Sequence, residues 1–196
     1  MKLCVFQGTF NPIHNAHLRV GEFVRQKYSF DKIIFIPAYI PPHKKCDRNL
    51  AIHRYNMVKI AIQHNKFFEI SDIEYKRGGK SYTYLTILEL IKLYDIEDKI
   101  NFIIGTDAFE KIESWYEADK LKKLIKFIVF IREENFDISK YNYLKARGYD
   151  FEFQPLTFEN ISSTQLREFI KNNKSISPYV PKQVEEYIKE NELYKN

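Results

Sequence analysis

The strongest constraint on the fold is the alternation of short apolar runs with segments of helical spacing. The apolar runs are "KLCVF" (2–6), "KIIFIPA" (32–38), "FFEISDI" (67–73), "KINFIIG" (99–105), "KFIVFI" (126–131) and "YDFEFQPL" (149–156). The helical segments are "HLRVGEFVRQKY" (17–28), "AIHRYNMVKIAIQH" (51–64), "TYLTILELIKLY" (83–94), "STQLREFIKNN" (163–173) and "PKQVEEYIKENEL" (181–193). Nearly continuous apolar runs are typical of parallel strands that are buried on both faces. The alternation therefore predicts an α/β fold with a doubly wound, mostly parallel sheet and helices on both faces.

The length of 196 residues fits a single domain with a sizeable core. We expect one domain over residues 1–196, with the C-terminal helical part, from about 160 to 196, packed on the same domain. No apolar run approaches the roughly 18 residues of a membrane span, and the N-terminus lacks the pattern of a secretory signal. These observations predict a cytoplasmic protein without a membrane partner.

The cysteines and the charge exclude further classes. Cys4 and Cys46 lie far apart and show neither metal-ligand spacing nor a disulfide framework, so we expect a core Cys4 and an exposed Cys46. The net charge of +5 comes from lysines scattered along the chain, without a long basic tract. This pattern favours a solvated lysine-rich surface, with which a small polyanionic ligand is compatible. We expect no nucleic-acid partner, and a homo-oligomer stays open.

The stretch "FQGTFNPIHNAH" (6–17) follows the first predicted strand, where open α/β sheets bind ligands. Gly8 lets the backbone turn sharply and approach a ligand closely. His14 and His17 are three residues apart at a helix start and can face the same way, toward phosphates above free N–H groups. A metal site needs a third protein ligand, and no Glu or Cys stands beside the pair, so none is predicted. The alternative is that the histidines are polar caps.

Four later segments carry residue types suited to binding phosphates, hydroxyls or an aromatic ring. They are "IPPHKK" (40–45), "EYKRGGKSYTYLT" (74–86), "IIGTDAFEKIESWYE" (103–117) and "ENISSTQLRE" (159–168). In the last segment a Ser/Thr cluster opens a helix and Arg167 stands on its first turn, an arrangement that favours an anion. Taken singly, each segment has a structural explanation in helix capping, a proline turn or core packing.

The order of these motifs resembles a known family. "GTFNPIHNAH" is similar to the G-x-F-x-P-x-H-x-x-H signature of the nucleotidyltransferase superfamily. With P-P-H-K, S-Y-T, I-G-x-D followed by Trp, I-S-S-T-x-x-R and the helix "HRYNMVKIAI" (53–62), the whole chain resembles the bacterial nicotinate-nucleotide adenylyltransferases. The chain departs from the usual motifs at four positions, namely Gln7, Asn11, Ala16 and Lys80.

The resemblance implies a Rossmann-like fold and a reaction of NAD biosynthesis. The phosphate of nicotinate mononucleotide would attack the α-phosphorus of Mg-ATP directly, giving nicotinate adenine dinucleotide and pyrophosphate, with Mg²⁺ arriving on ATP. Because the attacking phosphate is already an anion, the enzyme's task is positioning and charge stabilisation.

The resemblance also implies roles for individual residues. The catalytic residues would be His14, His17, Lys44 and Arg167. The ATP-binding residues would be Gly8, Thr9, Phe10, His14, His17, Gly105, Asp107, Ser162, Ser163, Thr164 and Arg167. The residues that bind the mononucleotide would be Lys44, Thr83, Trp115, Tyr116 and Arg132.

Two other hypotheses remain open at this point. A sister transferase, acting on phosphopantetheine or transferring a cytidylyl group, would share the first motif but not the S-Y-T and Trp115 segments. A non-catalytic nucleotide-binding or RNA-binding module would release no pyrophosphate and could lose His17 with binding intact.

Overall fold

Within the residues that the computed structural model describes, 1–42, 49–131, 136–155 and 161–195, the sheet has six strands. They are β1 (Leu3–Gly8), β2 (Lys32–Pro37), β3 (Phe68–Ile70), β4 (Ile100–Gly105), β5 (Ile125–Ile131) and β6 (Asp150–Pro155). The strand order is β3-β2-β1-β4-β5-β6, and every pairing is parallel. The chain winds outward from β1 to one edge and then returns to β4, so the strand order reverses between β1 and β4. The predicted doubly wound sheet is confirmed, and the reversal is where such sheets bind ligands.

The longer helices coincide with the predicted segments. They are α1 (Asn15–Tyr28), α2 (Leu50–Ile62), α4 (Thr83–Tyr94), α8 (Ser163–Lys171) and α9 (Lys182–Glu190). The sequence did not predict the short helices α3 (Ile73–Arg77), α5 (Thr106–Phe109), α6 (Ala118–Leu121) and α7 (Asn142–Ala146). Each of these has four or five residues, which is too short to show a helical period.

The core lies on both faces of the sheet because side chains alternate along each strand. Cys4 and Phe6 belong to the cluster on the face of α1 and α2, whereas Val5 belongs to the cluster on the face of α4. Leu193, near the end of the chain, is buried in the first of these clusters, so the C-terminal part packs against the same face as α1.

Two further sequence predictions concern the cysteines and membrane spans. Cys4 is fully buried, as predicted, and its burial raises the pKa of the thiol well above its usual value. Cys46 lies outside the described residues. Across the described ranges, no helix is both long enough and apolar enough to cross a membrane.

Candidate active site

A cavity of about 520 Å³ lies at the carboxyl ends of β1 and β4. Among the residues that line it are Gly8, Thr9, Phe10, His14, His17, Thr83, Gly105, Asp107, Trp115, Tyr116, Ser162, Ser163, Thr164 and Arg167. The fold therefore brings every predicted site residue within the described ranges to one cavity. Lys44 and Arg132, the other two predicted residues, lie outside the described ranges.

The two histidines stand at the start of α1 with their rings close together. His14 precedes the first helical residue and is 2% exposed, and its ring centroid lies 3.7 Å from that of His17. The backbone N–H of His14 donates to Nδ1 of His17 at 3.3 Å. Because Nδ1 accepts this bond, the neutral ring of His17 carries its proton on Nε2. His17 is thus held as a hydrogen-bond donor at its other ring nitrogen.

Gly8 makes room for the ring of Phe10. A Cβ at position 8 would lie 3.0 Å from Cζ of Phe10, closer than real Cβ atoms normally come. The backbone φ of Phe10 is 47°, in the left-handed region, and its ring meets the ring of His17 edge-on at 5.1 Å. Gly8 has no positive φ, so its own backbone does not require glycine. The residue must be glycine because the ring of Phe10 lies where a side chain at position 8 would be.

We expect the substitution Gly8→Ala to destabilise the protein by about 1–3 kcal/mol, because the buried ring of Phe10 must shift. Denaturant unfolding measures this change. The double variant Gly8→Ala/Phe10→Leu is the control, since a smaller side chain at position 10 leaves room for the new methyl group. Equal destabilisation by Gly8→Ala in the wild-type protein and in the Phe10→Leu variant would contradict the steric explanation.

The start of α8 uses its hydroxyl groups within the protein. Oγ of Ser162 accepts the N–H of Gln165 at 3.2 Å, and the N–H of Ser162 donates to Oε1 of Gln165 at 2.9 Å. Oγ of Ser163 donates to the carbonyl of Pro12 at 2.9 Å. The N–H groups of Ser163 and Thr164 belong to the first turn, where no carbonyl of the helix accepts them. These N–H groups, more than the hydroxyls, suit an anion.

Arg167 joins α8 to the turn that carries the histidines. It is the fifth residue of the helix and begins the second turn, not the first turn on which it was expected, and its side chain reaches back toward the helix start. Its Nη1 donates to the carbonyl of Asn11 at 2.8 Å and its Nη2 to Oγ1 of Thr164 at 3.2 Å. The guanidinium therefore stands at the cavity wall, between two segments that line it.

We expect Arg167→Ala to weaken ATP binding about 10-fold to 100-fold, the scale for losing a charge-assisted hydrogen bond. Calorimetric titration with ATP measures the effect. Lys171→Ala removes an exposed charge from the same helix and should leave the affinity within about twofold of the wild-type value, as surface charges contribute little. Equal ATP affinities of the two variants would show that Arg167 does not bind the phosphates of ATP.

A second group of residues that line the cavity is aromatic. Thr83 is the first residue of α4 and is buried. Trp115 meets Phe102 edge-on, with ring centroids 6.4 Å apart, and Tyr116 stacks on Tyr82 at 4.5 Å. A flat ring with a polar substituent fits such a surface better than a phosphate does.

Gly105 and Asp107 line the same cavity. Gly105 ends β4, and Asp107 is exposed in the first turn of α5. Asp107 is the one carboxylate among the described residues that line the cavity. The described part of the chain also contains no group of three His, Cys, Asp or Glu residues that could hold a metal ion.

Sequence reasoning did not assign Gln7, Asn11 and Lys111, which also line the cavity. Nε2 of Gln7 donates to Oε1 of Glu74 at 2.5 Å. Oδ1 of Asn11 accepts the hydroxyl of Tyr194 at 2.6 Å. Two of the departures from the usual motifs are thus hydrogen-bonded to residues far away in the sequence, for which the motif itself holds no signal.

Known proteins of similar sequence match along the whole chain. Residues 5–169 match the cytidylyltransferase-like family. A protein of Caldicellulosiruptor saccharolyticus, named probable nicotinate-nucleotide adenylyltransferase, is 38% identical over 199 residues, which cover 100% of both chains. A protein of Staphylococcus epidermidis with the same name is 40% identical over 195 residues, covering 98% of this chain and 97% of that protein. The chain belongs to the nicotinate-nucleotide adenylyltransferase family.

A solved structure confirms the fold of this family member. The nicotinic acid mononucleotide adenylyltransferase of Plasmodium falciparum, complexed with NaAD, superposes with a TM-score of 0.81 at 22% identity. The superposition covers 98% of this chain and 96% of that one. As a nicotinate-nucleotide adenylyltransferase by family, the chain is a nucleotidyltransferase of NAD biosynthesis, and the resemblance read from its motifs is confirmed.

Proposed function

We propose that the enzyme joins nicotinate mononucleotide to the adenylyl group of ATP by direct in-line attack. A phosphate oxygen of the mononucleotide forms a bond to the α-phosphorus, and the bond from that phosphorus to the oxygen bridging to the β-phosphorus breaks. The products are nicotinate adenine dinucleotide and pyrophosphate. The observation that carries this proposal is that one cavity is lined both by two histidines, an arginine and a helix start, and by aromatic rings. We propose that the first group forms a phosphate-binding end of the cavity and the second an aromatic end.

The phosphate-binding end is proposed to hold ATP. His14, His17 and Arg167 stand there beside the first turn of α8, so donors and positive charge face one region. Such groups stabilise the charge that develops on the leaving pyrophosphate. Gly8, Thr9 and Phe10 contribute the backbone of the turn, and Gly105 and Asp107 are proposed to border the ATP ribose, with the carboxylate accepting from its hydroxyls.

The aromatic end is proposed to hold the nicotinate ring. Trp115 would stack on the ring, while N–H groups near Thr83 and Tyr116 would donate to its carboxylate. Lys44 and Arg132 are proposed to bind phosphate groups of the two substrates. Holding two polyanions in attack geometry is itself a large part of the catalysis.

Mg²⁺ is proposed to arrive with ATP. The described cavity lining offers a single carboxylate, Asp107. Mg²⁺ keeps several waters and binds readily to substrate phosphates, so it fits this cavity as the companion of the nucleotide.

An acceptor panel tests the proposed function. The enzyme is incubated with Mg-ATP or Mg-CTP and with nicotinate mononucleotide, nicotinamide mononucleotide or phosphopantetheine, and pyrophosphate release is followed. We expect the highest kcat/KM with ATP and nicotinate mononucleotide. Turnover restricted to phosphopantetheine or CTP would favour a sister transferase, and binding of nucleotide or RNA without pyrophosphate release would favour a non-catalytic module.

We further propose that residues 1–196 form one domain whose partners are small molecules rather than nucleic acid, either as a monomer or as a homo-oligomer. Burial of Val184 and Leu193 in the cluster that contains Cys4 and Phe6 supports the single domain. We expect one cooperative unfolding transition, coincident by far-UV circular dichroism and tryptophan fluorescence. Two separate transitions would contradict the single domain.

A further inference from the structure

Arg54 is a fully buried cation behind the wall of the cavity. It is the fifth residue of α2 and is 0% exposed. Its Nη1 donates to the carbonyls of Thr9 and Ala38, and its Nη2 donates to the carbonyl of Tyr39 at 2.9 Å. One guanidinium thus joins the chain that follows β1 to the chain that follows β2.

Both of these segments form the cavity. Thr9 and Ala38 line it, whereas Arg54 does not, so the guanidinium binds the wall from behind. A planar trans peptide points its C=O and its N–H in opposite directions. Because the carbonyl of Thr9 points toward Arg54, the N–H of Phe10 in the same peptide points away from Arg54, toward the cavity face of the turn.

The N–H of Phe10 has no acceptor among the described residues. Phe10 also has a φ of 47°, which a phenylalanine rarely adopts without support from its surroundings. The hydrogen bond between Arg54 and the carbonyl of Thr9, at 2.9 Å, supplies such support. An N–H held in this way can donate to an anion in the cavity.

The charge of Arg54 suits the same ligand. No carboxylate of the described residues lies within ion-pair distance of Arg54, and the nearby buried Glu74 pairs with Arg77 at 3.8 Å. A buried cation without a direct ion-pair partner is unfavourable, and a bound anion in front of the wall offsets part of that cost. The orientation of the Thr9–Phe10 peptide and the charge of Arg54 therefore both favour the same part of a ligand, its phosphate groups.

We propose that Arg54 is a positioning residue that fixes the turn after β1, so that the N–H of Phe10 donates to nucleotide phosphates. The inference rests on the proposed function in placing ATP in this cavity. The guanidinium acts through the backbone of Thr9 and Ala38 and does not itself touch the substrate.

The variant Arg54→Lys tests the proposal because it keeps the charge but loses the planar fork that reaches both segments. Calorimetric titrations with ATP and with inorganic triphosphate give the dissociation constant and the number of sites. We expect both dissociation constants to rise at least about tenfold, the effect of a lost hydrogen bond to a charged group, with the number of sites still near one. Adenosine, which lacks phosphates, should bind within about twofold of its wild-type affinity.

Arg25→Lys is the matched control. Arg25 is a partly buried arginine on α1 that pairs with Glu22 at 2.8 Å and does not line the cavity. Its variant should bind triphosphate as the wild type does. A reduced number of sites with unchanged affinity in Arg54→Lys would indicate general misfolding, and unchanged affinity with a full number of sites would indicate no role, so either result overturns the proposal.

A measurement on the wild-type protein covers the case in which Arg54→Lys does not fold. The backbone amide signal of Phe10 should move when inorganic triphosphate is added to ¹⁵N-labelled protein, and an unmoved signal overturns the proposal. If the wild type joins no mononucleotide to ATP, the proposed function fails, but the triphosphate titrations still decide the role of Arg54.

Discussion

His17→Ala is expected to lower turnover roughly 100-fold or more while the protein stays folded, the scale for removing a donor that stabilises transition-state charge. The structure gives the reason. Nδ1 of His17 accepts from the backbone N–H of His14 at 3.3 Å, so Nε2 of the neutral ring carries the proton and is the nitrogen that we propose donates to the ATP phosphates. The methyl group of alanine offers no donor there.

Steady-state kinetics with ATP and nicotinate mononucleotide measure this effect, with circular dichroism to confirm folding. The variant also loses the bond to His14 at the helix start, which costs about 0.5–2 kcal/mol of stability. His53→Ala is the matched control, because Nδ1 of His53 lies 3.0 Å from the hydroxyl of Tyr187 and His53 does not line the cavity. Near-normal turnover in His17→Ala would indicate that the histidine pair only caps the helix and has no catalytic role.

The second large effect concerns substrate choice. We expect the acid mononucleotide to be preferred over the amide at least tenfold, and about 100-fold if two donors face the carboxylate, in kcat/KM. A carboxylate accepts hydrogen bonds at both oxygens, whereas an amide presents its NH₂ to one of the donors. Two facing donors leave a buried group unsatisfied at a cost of about 1–3 kcal/mol.

The start of α4 allows a direct test of the donor. Proline is tolerated at the first residue of a helix and lacks an N–H, so Thr83→Pro removes one donor while the helix can still form. The preceding Tyr82 has φ −78° and ψ 118°, a conformation compatible with a following proline. Thr83→Ala is the matched control, since it also loses the threonine side chain but keeps the N–H.

Thr83→Pro is expected to reduce the preference for the acid by about tenfold relative to Thr83→Ala. Trp115→Ala should impair both mononucleotides by removing the ring platform and should alter their ratio less. Equal kcat/KM values for acid and amide in the wild type would contradict this pocket, even with adenylyl transfer intact.

The secondary structure was largely readable from the sequence because its signals are local. Each of the six strands falls within or overlaps an apolar run, and α1, α2, α4, α8 and α9 follow segments of helical spacing. The short α3, α5, α6 and α7 were not readable, since a single helical turn shows no period. Their formation depends on neighbours such as the sheet end beside α5.

The residues that line the cavity could be predicted from the sequence, whereas the contacts among them could not. The order of the motifs led to the family and to the residues that line the cavity. Their arrangement was not in the pattern, as Arg167 shows. It was expected on the first turn of α8, whereas it begins the second turn and donates to the carbonyl of Asn11, a contact across the chain that the pattern does not contain.

The sequence by itself determined the alternation of strands and helices, the doubly wound sheet and the motifs that place the chain in its family. Tertiary structure alone decided that the ring of Phe10 requires glycine at position 8, that Gln7 donates to Glu74, and that Arg54 holds the carbonyl of Thr9. The physical reason is the range of the interactions. Hydrophobic periodicity and helix starts act between residues a few positions apart, whereas the contacts of Gln7 and Arg54 join segments that meet only after the sheet has assembled. Gly8 and Phe10 are neighbours in the sequence, but the ring of Phe10 lies over Gly8 only in the folded conformation of the turn, where the φ of Phe10 is 47°.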